Sequence, residues 1–321
     1  MYLKLFAHNK LVRGKDKSCI YDLHNNDVVL IPNIFYDILN DLPEHSIEAI
    51  QKQYAPDEPE VFDQYVQFIL NKNLGFTTHE PRLFGELDTS WEQPHHIQNG
   101  IVEHRVDSPF ELSRVILKLD ELLCRQIELR ILPGEQPIDE LTAQLTLLNG
   151  KVFRNVTLFL KYNASMTAEK VATLYNEIPN LGFVLLFNSP ETREVPGCNG
   201  KALFSSRPIE DFPFESEAGF KEKYIVNITY FMEALQFNPY YNRKVAIDHL
   251  GNIKNDLMLQ PSFGNINDLD LKEVIATPEF RELWYASPDK IIGVRDSALR
   301  YCRHLPYALR KVEDGNYEIV V

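Results

Sequence analysis

From Ile97 onward the chain alternates short apolar β-type runs with amphipathic helical stretches, and that rhythm admits few folds. Strand–helix alternation yields parallel strands whose crossovers lay helices on the sheet. Three units are legible. IQNGIVEHR, a helix expected after Asp107-Ser108-Pro109, and QIELRIL make the first; IDELTAQLTLLNG and VTLFLKY the second; TAEKVATLYNEI and GFVLLFN the third. So few elements cannot close an eight-stranded barrel, and the pattern predicts an α/β fold with an open, partial (β/α) barrel over 97–243.

The block before it has another order. KLFAH and CIYDLHNNDVVLIP alternate β-branched and aromatic residues around a hairpin turn at Asn25-Asn26. Helical stretches follow: NIFYDILNDL with Ile34, Ile38 and Leu42 on one face, SIEAIQKQY with Ser46 as N-cap, and EPEVFDQYVQFILNKNLGF with Val61, Tyr65, Phe68 and Ile69 at helical spacing. This predicts a strand-first, helix-later domain over 1–78 and a linker over 79–96. Ser189 to Lys223 has little periodicity and reads as a long loop or a pair of irregular strands. A hairpin from Lys244 to Lys254, turning at Leu250-Gly251, opens a C-terminal segment over 244–321.

Composition narrows the function. At 321 residues, length favours two or more domains. Lys+Arg 33 against Asp+Glu 46 gives a net charge of −13, which repels phosphate backbones, so no nucleic acid partner is expected. Cys19, Cys124, Cys198 and Cys302 are scattered without a CxxC, so neither a zinc ribbon nor a disulfide framework is signalled. No signal-peptide pattern opens the chain and no apolar run reaches membrane length; a cytoplasmic protein without membrane partners is expected.

Working residues of a parallel barrel sit at the carboxyl ends of its strands, which nominates Glu103, His104, Glu128, Arg130, Lys161 and Asn188. Glu128 and Arg130 are two apart and share a strand face, either to bind a zwitterionic ligand or to neutralise each other. With Lys161 they are the candidate catalytic residues. His95-His96 and His104 lack metal-ligand spacing, and no metal is expected. No GxSxG, GxxxxGK[ST] or GxGxxG occurs.

The C-terminal strings are more specific. FGNINDLDLKEVIATPEFRELW (Phe263 to Trp284) followed by DKIIGVRDSALRYCRHLPY (Asp289 to Tyr307) resembles the SPASM segment closing radical S-adenosylmethionine peptide maturases, in particular the maturase of grasp-with-spasm systems. The thiolates of that pattern fall at Val294, Ser297 and Arg303, with only Cys302 nearby. The catalytic CxxxCxxC that should follow the first barrel strand is replaced by RVDSPFE. An iron–sulfur cluster needs several converging thiolates, so no cofactor is expected. Residues 1–78 resemble the PqqD-like winged-helix domain of peptide maturation systems. The joint resemblance implies a pseudoenzyme that binds a precursor (leader) peptide by strand addition, near Leu23, Val29 and Ile31, and assists a partner ATP-grasp ligase.

Overall fold

The computed structural model describes residues 1–211 and 223–320. The chain divides into two compact units, one of Met1–Glu92, Lys221–Pro239 and Ala286–Val320, the other of Gln93–Phe220 and Tyr240–Tyr285. The segment resembling SPASM is therefore shared: its residues to Tyr285 belong to the second unit and those from Ala286 to the first.

In chain order the first unit opens with β1 (Tyr2–Leu5), β2 (Asn9–Val12), β3 (Ser18–Asp22), β4 (Asp27–Ile31), α1 (Asn33–Asp41), α2 (Ile47–Tyr54), α3 (Pro59–Asn71) and β5 (Gly75–Thr78). The second unit follows with β6 (Asn99–Arg105), α4 (Leu112–Glu121), β7 (Gln126–Leu132), α5 (Ile138–Leu145), β8 (Asn155–Lys161), α6 (Ala168–Glu177), β9 (Leu181–Phe187), β10 (Arg193–Glu194) and β11 (Ala202–Phe204). Then α7 (Ile228–Ala234) belongs to the first unit, β12 (Lys244–Ile247), β13 (Ile253–Lys254), α8 (Leu271–Ala276) and α9 (Pro278–Arg281) to the second, and β14 (Ala308–Lys311) and β15 (Tyr317–Val320) to the first.

In the first unit β2, β3 and β4 form an antiparallel sheet in that order, and β1 pairs with β5. The Asn25-Asn26 turn is present. Asn26 takes a positive φ of 56°, and the Asp22 carboxylate accepts the Asn25 amide at 2.9 Å. Every residue of β3 is buried. Its alternation sends Ile20 into a core with Leu3, Phe35, Ile38, Phe62 and Ile69, and Cys19 and Tyr21 into another with Phe231, Ala298, Tyr301 and Cys302.

Two helical stripes differ from expectation. In α1, Ile34 is 50 % exposed and Phe35, Ile38, Leu39 and Leu42 are buried. Residues spaced strictly four apart drift around a helix, whereas the i, i+3, i+4, i+7 set starting at Phe35 holds one face. In α3 the buried set is Phe62, Val66 and Ile69, while Val61 is exposed and Tyr65 and Phe68 flank the core, with Tyr65 stacked on Phe35 at 4.4 Å. Ser46 caps α2 as predicted, accepting the Ala49 amide at 3.2 Å.

The second unit is built on an eight-stranded sheet of order β10-β11-β9-β8-β7-β6-β12-β13. The pairs from β12 through β6, β7, β8 and β9 to β11 are parallel, and β10 and β13 close the ends antiparallel. This mixed α/β arrangement around a mostly parallel sheet is consistent with a partial barrel. The hairpin at Lys244–Lys254 does more than predicted, because β12 joins the parallel sheet beside β6. The helix after β6 starts at Leu112 rather than just past Asp107-Ser108, since the Ser108 hydroxyl accepts the Arg105 amide at 2.9 Å and holds those residues in a turn. The irregular stretch after Asn188 contains β10 and β11; part of the loop predicted up to Lys223 lies outside the described residues.

Candidate functional site

Alternation along β6 and β7 decides what faces where. Ile127, Leu129 and Ile131 are buried on one face of β7, which leaves Glu128 and Arg130 on the other. The register places Ile101 beside Glu128 and Glu103 beside Arg130, so Glu103 and Arg105 share that second face. On β8 the same row continues through Thr157 and Phe159, the partners of Glu128 and Arg130.

These side chains pair. Arg130 Nε donates to Glu128 Oε1 at 2.6 Å, with side-chain exposures of 14 and 29 %. Arg105 donates to Glu103 Oε1 through Nε at 2.9 Å and Nη2 at 2.6 Å. His249, in the β12–β13 turn, brings Nδ1 to 3.4 Å from the same Glu103 oxygen. Lys254 reaches Asp248 at 3.3 Å. Burial pushes the Asp248 carboxyl up, but hydrogen bonds from Asn252 and the Lys254 ammonium outweigh it and hold it below the usual carboxylate range. The result is a row of carboxylates and cations on one face of β6 and β7, running from mid-strand toward their carboxyl ends, with the β12–β13 hairpin beside them.

The remaining nominated residues are dispersed. Lys161 pairs with Glu210 at 3.6 Å, both half exposed. Asn188, at a positive φ of 59°, accepts the Ile209 amide at 3.2 Å and closes the end of β9. His104 lies beside Ile131 in register and so occupies the face opposite Glu103. Its Nε2 meets the Phe110 carbonyl at 3.2 Å, burial lowers its pKa, and it lines an open groove of about 610 Å³ with Phe110, Arg114, Gln144 and Asn267. Leu23 and Ile31 are buried in the two cores that flank the first unit's sheet, and Val29 packs half-buried against one of them. Arg105 and His249 were not singled out from the sequence. Arg105 follows Glu103 with the same i, i+2 spacing as Glu128 and Arg130; His249 carries no local signal, because only the parallel pairing of β12 with β6 brings it there.

The thiols do not fit an iron–sulfur cluster. Cys19 and Cys302 belong to the first unit, Cys124 and Cys198 to the second, and all four are buried. Cys19 Sγ donates to the Ala298 carbonyl at 3.2 Å, Cys302 Sγ to that of Leu299 at 3.3 Å, and Cys124 Sγ to that of Gln126 at 3.1 Å. Val294 is fully buried as an apolar residue, and Ser297 Oγ accepts the Leu299 amide at 3.1 Å. Among the described residues no group of three His, Cys, Asp or Glu is placed to hold a metal, and no helix is long and apolar enough to cross a membrane.

Fold and site together define a mixed α/β protein with a mostly parallel sheet and a charge-paired face on two of its strands. No family model matches the chain, and no curated protein matches it. Its weak structural neighbours include SuiB of Streptococcus suis. The S-adenosylmethionine-bound crystal structure of SuiB is 10 % identical with a TM-score of 0.26, over 94 % of each chain. SuiB alone is 11 % identical at 0.26, over 93 % of this chain and 94 % of that one, and SuiB bound to precursor peptide SuiA is 11 % identical at 0.24, over 94 % of each. At these scores the likeness carries no argument about fold or activity.

Proposed function

We propose that this chain is a maturation protein for a ribosomally made peptide. It binds the precursor through residues 1–78, a PqqD-like winged-helix domain, and presents it to a partner ATP-grasp ligase without radical chemistry of its own. The linker 79–96, the partial barrel over 97–243 and the degenerate SPASM-like segment over 244–321 complete the frame that the sequence resemblance describes.

The observation that carries the peptide-binding reading is the edge at β4. Among the described residues β4 pairs only with β3, and Leu30 on it is 51 % exposed. The Val28 amide donates to the Asp27 carboxylate at 2.8 Å, which turns it away from β3; period-two alternation turns the Leu30 amide the same way. An edge of unpaired backbone groups is what an extended peptide adds to. Leu23, Val29 and Ile31 then position the edge from the cores behind it, and Leu30 touches the peptide. The four scattered, buried thiols support the absence of cluster chemistry.

The test is titration of a fluorescent cognate leader peptide into the full-length protein. Strand addition gives micromolar to submicromolar affinity, about −8 to −10 kcal/mol. Leu30→Pro removes an outward amide and leaves the β3–β4 ladder intact, so it should weaken binding at least about tenfold with the melting temperature retained. Unchanged affinity in folded Leu30→Pro would sink the edge assignment. The charge-paired face of β6 and β7 favours a second reading, a cluster-independent peptide-modifying enzyme. In a reconstituted maturation assay with the ligase, Glu128→Ala and Lys161→Ala leave product formation nearly intact under the first reading and abolish it under the second.

A further inference from the structure

β1 and β2 follow each other in the chain but do not pair. Among the described residues β1 pairs only with β5 and β2 only with β3. The Phe6 amide donates to the Leu74 carbonyl and the Leu23 amide to that of His8, which fixes the phase of both ladders. Alternation then turns the backbone groups of Leu3 and Leu5 away from β5 and those of Leu11 away from β3. These two open edges line one cavity of about 160 Å³, floored by Leu39 and Leu42 of the core around Phe35. Asn9 borders it and is 5 % exposed. Its Nδ2 donates to the Leu74 carbonyl at 2.6 Å, and its Oδ1 has no donor among the described residues. A buried amide oxygen is costly to leave in that state, so this one calls for an N–H group from a ligand. The charged lining adds a sign. Lys4 and Lys10 share the single carboxylate of Glu86, at 3.6 and 3.5 Å, with side chains 12 and 18 % exposed against 72 % for Glu86. Lys4 is also held by the Pro81 and Phe84 carbonyls, whereas among the described residues the Lys10 ammonium meets Glu86 alone.

We infer that this cavity docks an extended acidic segment of a partner protein. A leucine-sized side chain fills the apolar floor while the main chain crosses the mouth, where the outward groups of Leu3, Leu5 and Leu11 take its N–H and C=O groups. The N–H of the entering residue satisfies Asn9 Oδ1. A neighbouring carboxylate replaces Glu86 on Lys10, and Glu86, already mostly exposed, returns to water at little cost because an exposed ion pair contributes little. A basic segment would meet two lysines, and a neutral one would leave Lys10 to Glu86, so charge selects the occupant. The site lies on other strand edges than β4 and does not depend on the precursor-binding reading.

The experiment is fluorescence-anisotropy titration of the full-length protein with a labelled peptide, Glu-Leu-Glu-Leu-Glu, and with its neutral counterpart, Gln-Leu-Gln-Leu-Gln. It is run in about 0.15 M salt, which screens the chain's net charge of −13 beyond about 8 Å. The acidic peptide should bind saturably and the neutral one at least about tenfold more weakly. Glu86→Gln weakens the internal competitor and should tighten the acidic peptide about threefold or more, while Lys10→Glu should abolish its binding at an unchanged melting temperature. If Lys10→Glu unfolds the protein, Lys10→Gln should still weaken the acidic peptide about tenfold and leave the neutral one unchanged. No saturable binding, equal binding of the two peptides, or unchanged or weaker binding to Glu86→Gln would overturn the inference. So would a self-association of the chain in sedimentation that Lys10→Glu dissolves, since that assigns the cavity to a second copy. Leu30→Pro separates this site from the β4 edge: it should leave acidic-peptide affinity unchanged, and a loss there would move the binding to β4 and overturn the inference.

Discussion

The Lys244 ammonium rests on the Asp256 carboxylate with both side chains almost wholly buried, at 7 and 2 % exposure. Tyr240 completes the arrangement: its hydroxyl donates to Asp256 Oδ2 at 2.8 Å, and the Lys244 Nζ sits 3.6 Å from the centre of its ring. Lys244 is the first residue of β12 and stands beside Asn99 on β6, so the pair anchors the strand that extends the parallel sheet. Removing one partner strands the other in a low-dielectric interior. Asp256→Ala should therefore destabilise the protein by about 3–5 kcal/mol, and Lys244→Met/Asp256→Leu by much less. Urea melts of the two variants at pH 7 check this; equal losses would mean that packing, not charge, is what matters there.

Acid should unfold this protein through a defined set of carboxylates. Burial alone would raise the Asp256 pKa, but the Lys244 ammonium and hydrogen bonds from the Met258 amide and Tyr240 hydroxyl outweigh it and hold the group below its ordinary 3.8. Asp248 is depressed in the same way, and Asp22 by the side chain and backbone of Asn25 and the charge of His8 after the same opposing effect of burial. A folded-state pKa below the unfolded one gives stability that is fully present above the unfolded value and is lost as pH falls through the folded value. The urea midpoint should stay level from pH 7 to about pH 5 and drop below about pH 4. Asp256→Asn should start lower and fall less steeply over that acid range; an unchanged slope would remove Asp256 from the set.

The thiols give a third expectation. Burial pushes Cys124 up to about 12, and burial together with the neighbouring Cys302 takes Cys19 to about 12. The thiolate is the reactive species. In the folded protein at pH 7.5 a disulfide reagent should modify none of the four within minutes, and all four in denaturant. Anaerobic incubation with iron and sulfide should leave the protein colourless, and a stable stoichiometric cluster would overturn the non-radical reading.

Much of the second unit was legible because period and length carried it. QIELRIL and VTLFLKY became β7 and β8, and the i, i+2 rule placed Glu128 and Arg130 on one face without any knowledge of their neighbours. His249 was not legible. It reaches Glu103 through the pairing of β12 with β6, which are 145 residues apart at the Asn99–Lys244 partners, and no local pattern encodes a partner so distant. Glu103 and His104 both stand near the end of one strand, yet adjacent residues face opposite ways and only Glu103 joins the charged row. The α1 stripe differs for a smaller reason, since counting by fours drifts off a face that threes and fours together maintain, whereas the α3 stripe has helical spacing but starts at Val61, one residue before the buried Phe62. The residues around Tyr21 show the strongest limit, since the second face of β3 is covered by α7 and by residues near Cys302, far along the chain.

That cover makes a last prediction. Tyr21 is fully buried, packs on Phe231 with ring centres 4.9 Å apart, and donates its hydroxyl to the Ala298 carbonyl at 3.0 Å. Burial drives its pKa far above the ordinary phenol value, so it remains a neutral donor through any accessible pH. Tyr21→Phe keeps the ring and leaves the Ala298 carbonyl with only the weak thiol donor of Cys19, at about 1 kcal/mol; Tyr21→Ala also opens a cavity and should cost about 3–5 kcal/mol. The same geometry means residues 1–78 cannot be tested as a separate piece. Val12, Cys19, Tyr21 and Leu23 would lose Phe231, Ala298, Tyr301 and Cys302 and present an apolar face to water. Expressed alone, that fragment should bind a hydrophobic dye strongly or self-associate in sedimentation, while the full-length protein does neither. A monomeric, dye-silent fragment would show that the core around Phe35, Phe62 and Ile69 suffices to fold it.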